Sequence, residues 1–473
     1  MEAGNERVLC VDLDGTLIAT DLLWESLLSA TRRNPAAVLL TPFWLLRGRA
    51  MLKRRLGELA DIDYSVLPYR ADVLAFVTGE HDRGRRVVLA TASDQLLADR
   101  VADHLQIFSG VIASDGVVNL KGKAKAAQLI SRFGAKNYDY IGDSTADVDC
   151  WADAADAITV GVSPVQRVTH LRPLVVSPTS PGVSLLRALV RALRPHQWLK
   201  NLLLFVPVLG AHRLDWPTIA TTIAAFVSLS LCASGGYVLN DLLDLAVDRR
   251  HPRKKSRPFA AGRLSIRAGV SLVALLWTVG FAVALTLPWQ FGALVGVYLV
   301  STAAYSIRLK REPILDVLFL AGLYVLRVVG GGLATGIVVS TWLLAFTLFI
   351  CLSLAYLKRF IEVRAQQVGS QDAVPGRGYV PDDASWLQSA GLASAYLSIL
   401  VLALYVNNPD VTRLYTRPDR LLLICPLLLY GTTKVWLSAQ RREIHDDPLV
   451  AVISDPASYV LLALTGIVVV LSI

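Results

Sequence analysis

From about residue 198 onward the chain is a succession of apolar runs separated by short charged loops, and no other feature constrains its fold as strongly. About nine runs of roughly 17–23 residues are expected to cross a bilayer, since that is the length a spanning helix needs. They lie near 199–212, 218–239, 267–287, 291–307, 314–335, 341–357, 387–406, 420–437 and 457–473, the first being short. Backbone polar groups find no water in the hydrocarbon core, so these runs must be helices. The first 185 or so residues instead mix apolar and charged side chains, as a soluble domain does. The opening residues, MEAGNERVLC, hold no cationic stretch followed by an apolar core, so no cleavable signal peptide is expected.

Formal net charge is +9. In a soluble protein that excess would point to nucleic acid. Here Lys and Arg gather in alternate loops, so nucleic acid is not expected as a partner; membrane orientation and anionic ligands account for the charge. With the N-terminal domain in the cytoplasm, the loops at 240–265, 308–312, 358–385 and 439–448 fall inside, and they hold most of the cations. The loops at 213–217, 288–290 and 336–340 carry only Arg213, while 407–419 departs from the rule with Arg413 and Arg417. A multi-pass protein of the bacterial inner membrane is expected, with its motif loops on the cytoplasmic face. The 5 Cys and 7 His are dispersed, which suggests neither a disulfide framework nor a zinc site.

Four pieces of the soluble half carry chemistry. The apolar run Val8–Val11 ends in Asp12-Leu13-Asp14-Gly15-Thr16. Val87–Ala90 ends in Thr91-Ala92-Ser93. Lys125 opens a helical stretch, with Lys121 and Lys123 as neighbours. Tyr140-Ile141-Gly142 ends in Asp143, with Asp147 four residues on. Strands alternating with helices imply a doubly wound parallel α/β sheet with its site at the carboxyl ends of the strands. The four pieces, in this order, resemble the haloacid dehalogenase (HAD) phosphatases. The resemblance implies Asp12 as nucleophile, Asp14 as general acid and base, Thr91 and Lys125 as phosphoryl ligands, and Mg²⁺ held around Asp12, Asp14, Asp143 and Asp147. It also implies a helical cap over about 20–80. Within it, Phe43-Trp44-Leu45-Leu46 beside Arg47 and Arg49 reads as cap core, or else as a contact with membrane or lipid. The domain is expected over 1–183, closing in the linker Ser177-Pro178-Thr179-Ser180-Pro181-Gly182. An interfacial helix over 184–198, with Arg187, Arg191, Arg194 and Trp198, leads to a membrane domain over 199–473.

At the end of the second apolar run comes Asn240-Asp241-x-x-Asp244-x-x-x-Asp248-Arg249-x-His251-Pro252-x-Lys254-x-x-Arg257. Charged groups beside a membrane span mark a functional site by default. Asn240, Asp244 and Asp248 lie four apart, a ladder on one helix face. Such a ladder can hold a divalent cation, and the cation a diphosphate, with the following cations on the phosphates. This resembles the first Asp-rich motif of the UbiA superfamily of intramembrane prenyltransferases. The Trp198-x-Lys200-Asn201 segment resembles the opening of that family, which makes Lys200 and Asn201 phosphate-contact candidates beside the reading as interfacial anchors. Tyr305 and Lys310 end the fourth run, and Asp316 and Arg327 lie within the fifth, beside Gly330-Gly331-Gly332.

The departure from the family is informative. Its second motif, DxxxD, is replaced by Tyr356-Leu357-Lys358-Arg359-x-x-Glu362. One acidic and one basic cluster suit a Mg²⁺-bound diphosphate plus a metal-free phosphate. The pattern resembles the decaprenyl-phosphate phosphoribosyltransferase branch. That resemblance implies a polyprenyl phosphate lipid and phosphoribosyl diphosphate (PRPP) as substrates, and substrate contacts at Lys200, Asn201, Asn240, Asp241, Arg249, His251, Lys254, Arg257, Tyr305, Lys310, Arg327, Lys358, Arg359 and Glu362. Asp244 and Asp248 are the expected catalytic metal ligands, with Asn240. The phosphatase half would then remove the 5-phosphate from the product, giving an arabinosyl-donor precursor. An aromatic-ring prenyltransferase of quinone synthesis is the other reading, and it requires the second DxxxD. The sequence leaves a homo-oligomer open.

Overall fold

The computed structural model describes residues 7–161, 171–174, 184–365, 377–406, 408, 415–444 and 448–473. The expected linker at 177–182 and Arg413 lie outside these residues. The chain forms two compact units, Met1–Leu193 with Val238–Leu272, and Arg194–Tyr237 with Val273–Ile473.

The first unit contains the expected parallel sheet. Strands β1 (Val8–Val11), β2 (Val87–Asp94), β3 (Gly110–Ser114), β4 (Tyr138–Gly142), β5 (Ala157–Val160) and β6 (Leu171–Leu174) lie in the order β3-β2-β1-β4-β5-β6. The chain steps outward through β2 and β3, then returns to place β4 on the other side of β1. Such a reversal opens a crevice at the carboxyl ends of the two central strands. Side chains of β1 alternate between two cores, as the pleat demands. Leu9 and Val11 pack with Val87, Leu89 and Ile141, and Cys10 with Val88, Tyr138 and Tyr140.

Helices α1 (Leu22–Arg33), α2 (Ala36–Leu46), α3 (Arg49–Leu59) and α4 (Ala71–Asp82) fill the interval between β1 and β2. Asp21 caps α1 by accepting from the Leu23 N–H. The first three helices share a small core of Ala30, Ala37, Leu52 and Leu56, with Leu23, Leu27 and Trp44 against it. Of the Phe43–Leu46 stretch only Trp44 turns toward this core; Phe43, Leu45 and Leu46 are exposed. The sheet is completed by α5 (Gln95–Leu105), α6 (Lys123–Phe133) and α7 (Val148–Asp153), and α8 (Leu185–Leu193) follows. The short helix α9 (Val206–Gly210) belongs to the second unit.

Helix α10 (Trp216–Leu243) ends at the Asp-rich motif and is followed by α11 (Leu245–Arg250). The remaining helices are α12 (Ile266–Ala284), α13 (Trp289–Ile307), α14 (Leu315–Thr335), α15 (Thr341–Arg364), α16 (Ala384–Val406), α17 (Ile424–Gln440), α18 (Pro448–Ser454) and α19 (Pro456–Ser472). Among the described residues, 7 helical segments are long and apolar enough to cross a bilayer. They match the second to eighth expected runs. The first run is instead a 3₁₀ segment, Pro195–Phe205, leading into α9. Pro207 lies in the first turn of α9, where its missing N–H would have no helical partner. The last run forms α19, whose 17 residues fall just short of the others. Close packing at α14 uses Gly331, where any Cβ would collide with the Leu204 carbonyl.

Candidate active sites

The crevice of the first unit gathers the HAD-like residues. Asp12 follows β1 and Asp143 follows β4, so the two neighbouring strands deliver both carboxylates to one edge. Gly15 lies at φ +82°, and any side chain there would strike Asp143. Asp12, Asp143 and Asp147 bring ligand oxygens within 4.8 Å of one another, a donor set that fits a hard divalent ion such as Mg²⁺. Lys125 is buried among them. Its Nζ donates to Asp12 Oδ1 at 2.9 Å, Asp147 Oδ1 at 3.0 Å and the Tyr140 hydroxyl at 2.6 Å. Lys125, rather than Lys121 or Lys123, is therefore the lysine that reaches Asp12.

Asp14 stands apart from this group of carboxylates. Its Oδ1 accepts from the Leu22 N–H at 2.8 Å, and its Oδ2 from Ser93 at 2.6 Å and more loosely from Thr91 at 3.4 Å. The carboxylate expected among the metal ligands is thus tied to the start of α1 and the end of β2. Burial, with the charge of Asp21 adding, pushes its carboxyl up to about 6. An acid in that range can donate a proton near neutral pH. Burial also pushes Asp12 up, against the pull of Lys125. Burial disfavours charge on Lys125 itself, but Asp12 and Asp147 outweigh it and hold the ammonium protonated.

Sequence reasoning missed several residues here. Thr16 reaches both Asp12 (3.5 Å) and Asp143 (3.3 Å). Lys53, on α3 of the cap, donates to the Ala92 carbonyl and to Asn119 Oδ1 at 2.7 Å. Thr16 and Ser93 lie within the strand-end segments Asp12–Thr16 and Thr91–Ser93 and are legible there as neighbouring hydroxyls. Lys53 had no sequence signal.

The same unit holds the Asp-rich motif. The expected ladder is split: Asn240 and Asp244 stay together, and Asp248 is held elsewhere. Asn240 Nδ2 donates to Asp244 Oδ2 at 3.1 Å. The Arg257 guanidinium instead joins Asp241 Oδ1 at 3.0 Å and Asp248 Oδ2 at 2.7 Å. Among the described residues, these carboxylates are not gathered as Asp12, Asp143 and Asp147 are. Helix α10 stops at Leu243, with Asp244 at the junction to α11, so the four-residue repeat does not hold one straight face. Asp241 and Asp248 are buried, and burial pushes Asp248 up to about 6 against the pull of Arg257. His251 Nδ1 accepts from the N–H groups of Arg253 (3.2 Å) and Lys254 (3.3 Å), closing the turn. Arg249 donates to Glu25 on α1, at 2.6 Å from Nη2 to Oε1, so its guanidinium is held by the cap rather than by the motif's own acids. Arg250 pairs with Asp63.

The second unit holds two further clusters. In the first, Arg327 Nε donates to Asn201 Oδ1 at 2.8 Å and Nη2 to the Tyr298 hydroxyl at 3.2 Å, while Asn201 Nδ2 donates to Ser230 at 2.9 Å. Arg327 also lies 5.5 Å from the Tyr324 ring centroid, and Lys200 Nζ lies 5.8 Å from the same ring. Lys200 and Lys358 line a pocket with Tyr324, Leu320, Leu354, Ala355 and Pro448, a wall of two ammonium groups on apolar and aromatic surface. In the second cluster, the buried Arg359 is ion-paired with Asp316 and Glu362 and donates to the Tyr305 hydroxyl at 2.9 Å. Tyr379 donates to Asp316 at 2.7 Å, and Arg377 to the Tyr305 hydroxyl at 3.1 Å and the Lys310 carbonyl at 3.3 Å. Lys310 is buried beside it. Arg359 and Glu362, expected on substrate, thus satisfy each other inside the helix bundle. Arg377 and Tyr379 were not among the expected site residues.

Residues 203–367 match the model of the UbiA prenyltransferase family. The uncharacterized protein y4nM of Sinorhizobium fredii is 38% identical over 463 residues, covering 96% of this chain and 89% of that protein. The decaprenyl-phosphate phosphoribosyltransferase of Mycolicibacterium smegmatis is 30% identical over 248 residues, covering 51% of this chain and 77% of that protein. A substrate-bound phosphoserine phosphatase structure matches with 15% identity and a TM-score of 0.26, covering 34% of this chain and 88% of that one.

Proposed function

The chain belongs to the UbiA prenyltransferase family, and from that premise we propose that it transfers the 5-phosphoribosyl group of PRPP to a polyprenyl phosphate, releases diphosphate, and then hydrolyses the 5-phosphate. The product is a polyprenyl-phosphoryl ribose, a precursor for an arabinosyl donor. The observation that carries this reading is the pocket faced by Lys200 and Lys358: two ammonium groups on an apolar wall suit a lipid monophosphate that needs no metal. The relative from M. smegmatis, a decaprenyl-phosphate phosphoribosyltransferase by name, supports a polyprenyl phosphate as acceptor and phosphoribosyl as the group transferred.

PRPP is assigned to the Asn240–Arg257 motif. Arg257, now on Asp241 and Asp248, would turn to the diphosphate oxygens, and Asp244 and Asp248, with Asn240, would hold Mg²⁺, which would neutralise diphosphate charge. Lys254 adds a second cation for the diphosphate. Arg327 and Arg359 act as positioning residues, one fixing Asn201 next to Lys200 and the other fixing the bundle next to Lys358.

In the phosphatase, Asp12 attacks phosphorus while Asp14 gives its proton to the departing ribose O5, which leaves an aspartyl phosphate. Asp14 then takes a proton from the water that hydrolyses it. Lys125 and Thr91 orient the phosphoryl oxygens. Mg²⁺ on Asp12, Asp143 and Asp147 would neutralise phosphoryl charge. Both reactions are proposed on the cytoplasmic face of a bacterial inner membrane.

Mass spectrometry of lipids formed from PRPP, a polyprenyl phosphate and Mg²⁺ tests the reading. The full-length protein should yield polyprenyl-phosphoryl ribose, and Asp244→Asn should yield none. Product only from a prenyl diphosphate and 4-hydroxybenzoate would replace this reading with quinone-type prenylation.

A further inference from the structure

Helix α2 carries an apolar surface that the cap does not bury. Ala37 and Trp44, two helical turns apart, face the small core of Ala30, Leu52 and Leu56. Around the rest of the helix Val38, Leu39, Leu40, Phe43, Leu45 and Leu46 are all exposed, with Leu39 at 74%, Phe43 at 65% and Leu46 at 86%. A helix facing water places polar residues on its outer side. This one has no charged residue at all, yet its ends are cationic: Arg32 and Arg33 close the preceding helix, and Arg47 and Arg49 follow. Contiguous exposed apolar surface marks contact with another apolar phase.

We propose that α2 is an interfacial membrane helix. Its outer face lies in the boundary between acyl chains and headgroups, with Arg32, Arg33, Arg47 and Arg49 on anionic headgroup phosphates. A protein partner would more commonly be met by an apolar patch with a mixed polar rim; cations at both ends of a charge-free helix suit a lipid surface. A bilayer is within reach, because among the described residues 7 helical segments of the same chain are long and apolar enough to cross one. At about 1.5 Å per residue the helix is roughly 16 Å long, about half the hydrocarbon thickness, so it lies along the surface instead of crossing. Its neighbour α3 carries Lys53 to Ala92 and Asn119 beside the crevice. The membrane contact is therefore one helix removed from the phosphatase residues, an arrangement suited to a phosphomonoester borne on a lipid. That consequence rests on the phosphatase reading above; the docking of α2 does not.

The test uses the full-length protein in nanodiscs of phosphatidylcholine and phosphatidylglycerol. Nitroxides are attached at Leu39→Cys, Leu46→Cys and, as a solvent control, Asp103→Cys on α5. Labels on α2 should collide with oxygen and be shielded from a water-soluble nickel chelate, while the control shows the reverse. Labels on α2 as open to the chelate as the control would overturn the proposal, and so would labels hidden from both reagents, which would mean that protein covers the helix. In a second arm, the variant L39S/F43S/L46S should keep its turnover of soluble p-nitrophenyl phosphate and lose about tenfold on a lipid-borne phosphomonoester, as apolar insertion is lost. Equal loss on both substrates would overturn the proposed consequence for the substrate. No activity on either substrate in the unmodified protein would overturn the phosphatase reading and leave the label result to decide the helix.

Discussion

The phosphatase crevice and the Asp-rich motif share a problem and solve it differently. Each concentrates carboxylates in a buried place. In the crevice, Asp12 and Asp143 arrive on adjacent strands, and the sheet fixes them close together with Lys125 compensating their charge. In the motif, the acids arrive along a helix that breaks at Asp244, and Arg257 sits between two of them. A sheet edge is held by ladders on both sides, so it can store electrostatic repulsion. A helix end has fewer restraints and relieves repulsion by recruiting a cation. The crevice thus keeps three carboxylates close together, whereas in the motif Arg257 lies between Asp241 and Asp248.

Asp12→Asn should be the most damaging test of this contrast. It keeps the shape of the sheet edge but lacks the attacking oxygen, so phosphate release should fall to background while ribosyl transfer persists. Mass spectrometry should then find lipid that still carries the 5-phosphate. Equal dephosphorylation by the variant would break the assignment of the crevice.

Asp14→Asn should lower phosphatase turnover by about 10²–10⁴-fold on alkyl phosphates, the range for loss of a general acid. With its carboxyl pushed up to about 6, Asp14 is protonated below that pH and loses its proton above it. Rates on alkyl phosphates should therefore fall as pH rises through that value. Aryl phosphates, whose leaving groups need no proton, should not show the fall. A pH–rate comparison of the two substrates checks this.

Two ion pairs connect the cap to the motif and separate buried from exposed electrostatics. Glu25→Gln leaves Arg249 buried without its carboxylate, and the cost should be about 3–5 kcal/mol by denaturant unfolding of the first unit's transition. Asp63→Asn removes the partner of the exposed Arg250 and should cost about 0–1 kcal/mol. Similar costs for both would mean that the Glu25–Arg249 contact is not a buried pair in the working protein.

Asp12, Thr91 and Asp143 were legible as candidates because each lies at the end of an apolar strand, and Lys125 because it opens a helix. Lys53 was not, because it arrives from a cap helix whose docking depends on contacts far along the chain. Arg359 looked like a phosphate ligand from its charge alone. Its pairing with Asp316, 43 residues earlier, is a tertiary fact.

The order of residues by itself determined that an N-terminal α/β region is followed by a longer helical membrane region, since apolar run length and strand–helix alternation act locally. Tertiary structure decided the rest. It folded the first run as a 3₁₀ segment and a short helix instead of one spanning helix. It gave Asp248 to Arg257 rather than to Asp244, and Arg249 to Glu25. It also left the outer side of α2 uncovered. A helix apolar all round carries no stripe to say which side is buried, and a charge does not name its partner. Both are settled only when elements distant in sequence pack together.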